Sequence, residues 1–148
     1  MRAFAVTMAA LILCTGCGRL GTANNRTQFF ASHDAKAHLE AVAKVKGYEV
    51  GGGSAGQSLG SSTAAKDFEI SIKGDASLRD KLMRDYKGYV EKELQKSGAV
   101  IQGRGVSGDV SGFNFGYDQD GVTGIFRVKT VVDADGYIQV DVFMYEHE

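Results

Sequence analysis

The sequence predicts an α+β domain: one long helix packed on a curled antiparallel sheet of about five strands, preceded by a short amino-terminal helix. Three observations carry that expectation. Phe68, Ile70 and Ile72 alternate with Glu69, Ser71 and Lys73, the period-two pattern of a half-buried strand. Leu78, Leu82, Tyr86, Tyr89, Val90 and Leu94 recur at the spacing of one helix face. Residues 122–132 and 138–144 alternate on either side of Ala134-Asp135-Gly136, a loop in which Gly supplies positive φ, so they form a hairpin. Its register pairs Val132 with Ile138, Thr130 with Val140, Val128 with Val142 and Phe126 with Met144 on the core side. On the other side Lys129 meets Asp141 and Arg127 meets Phe143.

The remaining elements follow in chain order. Residues 32–50 read as a short helical segment, because Ala35, Leu39 and Val42 form a helical stripe, with Ser32 to cap it and Gly47 to end it. A strand through Leu39, Ala41, Ala43 and Val45 is the competing reading. Residues 51–66, rich in Gly and Ser, read as a flexible linker. Residues 67–148 then form the α+β domain. Gly74-Asp75-Ala76 breaks its first strand. Ser77 with Asp80 resembles a capping box that opens the long helix, and Gly98 stops it. Gly88 in mid-helix costs about 1 kcal/mol against Ala, which points to close approach of that helix to the sheet. Ala99 to Gln102 is a short strand, Gly103 to Gly112 a glycine-punctuated crossing, and Phe113, Phe115 and Tyr117 mark another strand. Strand, long helix, then four strands resembles the cystatin-like α/β roll in element order. The inhibitory Gln-Val-x-x-Gly loop of that family is absent, since Gln102 is followed by Gly103-Arg104-Gly105, so no inhibitor function carries over.

Composition narrows the function classes. The 148 residues suit a single domain, and 43% hydrophobic residues suffice for a core. With 17 Lys+Arg against 18 Asp+Glu there is no surplus to neutralise phosphates, so a nucleic-acid partner is not expected. No Pro occurs, which excludes proline-directed recognition. No cofactor is expected.

The first residues read as an address. Arg2 is followed by Ala3 to Leu13, an uncharged run of 11 residues, which is too short for a ~30 Å hydrocarbon layer. Then comes Leu13-Cys14-Thr15-Gly16-Cys17-Gly18. This resembles the lipobox of bacterial lipoproteins, with Cys14 where Leu is commonest and Leu13 one residue earlier. The resemblance implies that residues 1–16 are a signal peptide that is removed. It also implies that Cys17 carries lipid and binds the membrane from its non-cytoplasmic side. Gly18, where Asp favours inner-membrane retention, leans towards the outer membrane where one exists. Two acyl chains anchor stably where one binds only marginally. Residues 17–31 read as the tether, of which Gly18 to Thr27 reaches about 33 Å when extended. Ordinary secretion with cleavage after Gly21-Thr22-Ala23, or a retained anchor, are the alternatives.

Motifs that could carry chemistry sit in unhelpful contexts. Gly103-Arg104-Gly105-Val106-Ser107-Gly108 fits G-x-G-x-x-G, but a strand pattern follows it where a nucleotide site needs a helix. Gly52-Gly53-Ser54-Ala55-Gly56 fits a nucleophile elbow, with His147 and Asp133, Asp135 or Asp141 in suitable chain order, yet it lies within a Gly/Ser run. Asp118-Gln119-Asp120-Gly121 and Asp133-Ala134-Asp135-Gly136 read as two hairpin turns. The alternative is a weak divalent-cation site that Asp118, Asp120, Asp133 and Asp135 share at one sheet end. His33 and His38 stand about 140° apart on a helix and lack the further ligands that zinc needs.

One feature points to contact. The sheet face away from the core carries Ile125, Val131, Tyr137, Phe143 and Tyr145 beside Arg127 and Lys129, a composition suited to an interface unless the amino-terminal helix covers it. The sequence therefore favours a lipid-anchored, non-catalytic binding or assembly module of the cell envelope, its partner an envelope protein or a second copy. A small envelope hydrolase using Ser54 or the Asp-x-Asp-Gly carboxylates, or a weak cation-binding protein, is the alternative.

Overall fold

The strand read at Phe68–Ile72 is the middle of a long hairpin. In the computed structural model, which describes residues 26–46, 49–105 and 112–148, this hairpin joins β1 (Glu49–Leu59) to β2 (Thr63–Lys73). Before it come α1 (Gln28–Ser32) and α2 (Ala35–Lys46). After it come α3 (Ala76–Lys96), β3 (Val100–Gly105), β4 (Phe113–Gln119), β5 (Val122–Val132) and β6 (Tyr137–His147). All neighbouring strands pair antiparallel, in the order β1-β2-β6-β5-β4-β3. The α+β architecture expected from the sequence is the one observed. Element order alone left the strand order open: β2, which precedes the long helix, pairs with the last strand, β6. β2 and β3 are then four strand spacings apart, about 19 Å. The 21-residue α3, about 32 Å long, bridges that width.

The β5–β6 register is the one the alternation predicted, from Val132 opposite Ile138 to Phe126 opposite Met144. It sends Phe126, Val128, Val140 and Val142 into one core with Phe68, Ile70 and the α3 face of Leu82, Tyr86, Val90 and Leu94. The β4–β5 turn has two residues, Asp120 (φ 54°) and Gly121 (φ 85°), both left-handed as a type I′ hairpin requires.

Several expectations need correction. Residues 51–66 are not a linker: Glu49–Leu59 pairs with β2 throughout, apart from a bulge between Val50 and Gly53. Glycine permits it, because a Cβ on Gly53 would stand 2.5 Å from the Glu69 backbone carbonyl oxygen. Residues 28–31, expected in the tether, belong to α1, whose Phe29 and Phe30 are buried. The capping residues also differ. Thr27 caps α1, Asp34 accepts from the Ala37 N–H at 3.0 Å, and Asp75 accepts from the Leu78 N–H at 2.9 Å, in place of Ser32 and Ser77. Asp75 wins because it is the last extended residue before α3. At Gly88 no close approach exists: a Cβ there would meet nothing within 4 Å, and the residue lines a groove of about 520 Å³ between α2 and α3. Gly47 and residues 106–111, with Cys17 and the rest of the amino-terminal segment, lie outside the described residues.

Candidate binding face

Every described helix lies on the same side of the sheet. α3 covers the core face, and α2 lies against α3, β1 and β2. α1 joins them there, because Phe29 packs on Tyr117 and Phe126 at ring distances of 5.5 and 5.8 Å. The amino-terminal helix therefore leaves the opposite face uncovered. Alternation along β5 and β6 puts one residue in two onto that open face.

The residues predicted there are there. Ile125 is 42% exposed, Val131 62%, Tyr137 38% and Phe143 39%, while Tyr145 is half-buried. Arg127 and Lys129 are exposed between them. Backbone pairing arranges the face in rows that cross the strands. Ala65, Tyr145 and Ile125 form one, Asp67, Phe143 and Arg127 the next, then Glu69, Asp141 and Lys129, and then Ser71, Gln139 and Val131. In the two middle rows a carboxylate on β2 and a cation on β5 flank the β6 residue, Phe143 in one row and Asp141 in the other. Among the described residues, no ion pair within the chain uses Arg127 or Lys129. Aromatic rings beside Arg127 and Lys129 can make both apolar and ionic contacts.

The other candidates are dispersed by the topology. Asp118 and Asp120 sit at the β4–β5 turn, Asp133 and Asp135 at the β5–β6 loop. Successive antiparallel turns fall at opposite ends of the strand they share, so the two motifs are separated by the length of β5, about 33 Å. They cannot share an ion. Each has a local role instead. The Asp133 carboxylate accepts from the Asp135 and Tyr137 N–H groups at 3.0 and 2.9 Å and from Gln139 at 2.8 Å, and these bonds, Gln139's first, hold it below the usual carboxylate range. Among the described residues, no group of three or more His, Cys, Asp or Glu is arranged to hold a metal. Ser54 lies within edge strand β1, its hydroxyl 3.3 Å from Glu69, and no strand-to-helix turn places it as an elbow would. Gly103 to Gly105, the start of the G-x-G-x-x-G match, lie in β3.

Sequence reasoning missed two buried polar clusters on the core side. Glu146 is fully buried, accepts from the Tyr117 hydroxyl at 2.8 Å and from the Thr27 N–H at 3.1 Å, and also contacts the Thr27 hydroxyl. Burial, followed by the charge of Glu146, pushes the Tyr117 phenol far up, so it stays a donor. Lys66 donates to the Phe30 and Ala31 carbonyls at 2.5 and 3.3 Å and stands 4.9 Å from the Phe30 ring centre. His33 is buried at the α1–α2 corner with Nε2 3.1 Å from the Tyr86 hydroxyl. His38 packs edge-on at 4.6 Å. Burial first, then the charges of His38 and Lys66, lowers the His33 pKa from 6.5 to about 3. These clusters fasten α1 to the sheet and to α3.

Comparison with protein-family models, with curated proteins and with solved structures finds no match in any of the three. Among the described residues, no helix is long and apolar enough to cross a membrane.

Proposed function

We propose that the protein is a lipid-anchored, non-catalytic binding or assembly module of the bacterial cell envelope, held by Cys17 and presenting the open sheet face to a protein partner. One observation carries the reading: all described helices lie on the core side, leaving Ile125, Arg127, Tyr137, Phe143 and Tyr145 uncovered on the other. A solvated sheet face needs no aromatic rings, whereas an interface core is enriched in them. The hydrolase and cation alternatives gain nothing from the positions of Ser54 and the four turn aspartates.

The test is a comparison of two double variants in cells, each scored for proteins that co-purify with the chain. Phe143→Ser with Tyr145→Ala should release the partner while the fold is kept. Asp120→Ala with Asp135→Ala should leave it bound. Retention of every partner by the aromatic variant, with a phenotype lost only in a well-folded aspartate variant, would sink the binding reading.

A further inference from the structure

Resting on that reading of the open face, we propose that its occupant is a second copy of this chain, stacked face to face about a two-fold axis that runs along β6. The face is self-complementary about that line. β6 lies between β2 and β5 in the sheet. Rotation by 180° about an axis parallel to β6 exchanges the two sides and leaves each height along the strand unchanged. β5 of one copy therefore comes to lie over β2 of the other. Asp67 and Arg127 occupy one row, both aligned with Phe143. Glu69 and Lys129 occupy the next, both aligned with Asp141. The rotation thus sets Arg127 opposite Asp67 of the other copy and Lys129 opposite Glu69, twice each. Phe143 and Tyr145, on the axis strand, meet their own copies in the middle. An isologous contact must satisfy this condition, in which one patch complements itself.

The flanks and the size agree. In the row of Arg127, β4 places Asn114 and β1 places Gly56; the row of Ile125 places Gly116 and Ser58. These small side chains let two sheets approach to about 10 Å across their outer strands. Four strands of 11 residues with the shorter β3 and β4 cover about 900 Å², against about 800 Å² per partner in a stable interface. The cost falls at Asp141, which meets its own copy near the axis with Lys129 of each copy alongside.

The alternative in-plane axis, perpendicular to the strands, fails on a separate ground. Arg26 donates to the Gly60 and Thr63 carbonyls, and Thr27 to Glu146, so the chain enters the fold at one end of the strands. An axis along β6 keeps both amino-terminal segments at the same end, where two chains anchored in one membrane need them. The perpendicular axis sends them to opposite ends.

Sedimentation equilibrium of the full chain in density-matched detergent reads the association, with circular dichroism to confirm folding. The expected result is a dimer that Arg127→Glu and Asp67→Arg each weaken about tenfold or more by setting like charges opposite each other. The double variant restores it, and Asp141→Asn tightens it. A monomer at micromolar concentration overturns the proposal, as does a dimer that neither single swap weakens or the double variant fails to restore. These outcomes leave the binding reading standing if Phe143→Ser with Tyr145→Ala still releases another protein from the face. If that variant releases nothing either, the binding reading falls too.

Discussion

His33 links burial to pH. Its pKa is 6.5 when exposed and about 3 in the fold, so between those values the unfolded chain holds a proton that the native chain lacks. Stability is full above about pH 6.5, falls as pH drops through that window, and levels off below about pH 3. From about pH 7 to about pH 5 the loss from this one residue is about 2 kcal/mol. His38, also lowered by burial against the opposing charges of Glu93 and Asp34, adds in the same direction. Denaturant titrations at the two pH values should show the difference shrink in His33→Gln, and an unchanged difference would place the proton elsewhere. Gly124 is a second sensitive position. An added Cβ would stand 2.2 Å from Tyr117 Cζ, so the ring that serves Glu146 must shift. Gly124→Ala should cost about 1–3 kcal/mol in the same titration, the range for overpacking a core. A change within error there would mean the ring moves freely.

Among the elements, what was legible depended on side chains with a period to show. The β5–β6 hairpin, the α3 face and the open-face residues were readable because branched and aromatic side chains mark every second or fourth position. β1 was not: Gly51, Gly52, Gly53 and Gly56 carry no side chain to alternate, so composition suggested a linker where the free edge of β2 imposed a strand. The buried polar residues had a visible signal that went unused. Glu146 falls in phase with Met144 and Val142, and Lys66 in phase with Phe68 and Ile70, polar residues on a core-facing register. The His33–Tyr86 contact had none, because it joins residues 53 apart through the packing of α1 beside α3. The core that α3 completes can be tested directly. Leu82→Ala and Val142→Ala should each cost about 2–4 kcal/mol by chemical denaturation, and a loss below about 0.5 kcal/mol at both would mean the faces are wrongly assigned.

For the molecule as a whole, one end of the sheet gathers the point where Arg26 joins the fold, the Gly60–Ser62 turn, the Asp120–Gly121 turn and Glu148. The other end holds the Asp133–Gly136 loop and the start of α3, joined by the Gly74 N–H to the Gly136 carbonyl at 3.0 Å. Anchoring through Cys17 would set the first end nearest the bilayer. Cys17→Ala should move the protein out of the membrane fraction and remove a lipid-sized increment from its intact mass; membrane retention without any mass change would refute the anchor. The strap formed by Arg26 and Thr27 also decides how the domain bears tension. A pull on the amino-terminal segment loads the Gly60 and Thr63 carbonyls and the buried carboxylate of β6 first. Thr63 and Glu146 belong to β2 and β6, which are bonded on both sides, so their share of the force enters interior ladders, while Gly60 passes the rest to the end of edge strand β1. Under drag the domain is gripped by the middle of its weave together with its selvage, and is not unravelled from the selvage alone.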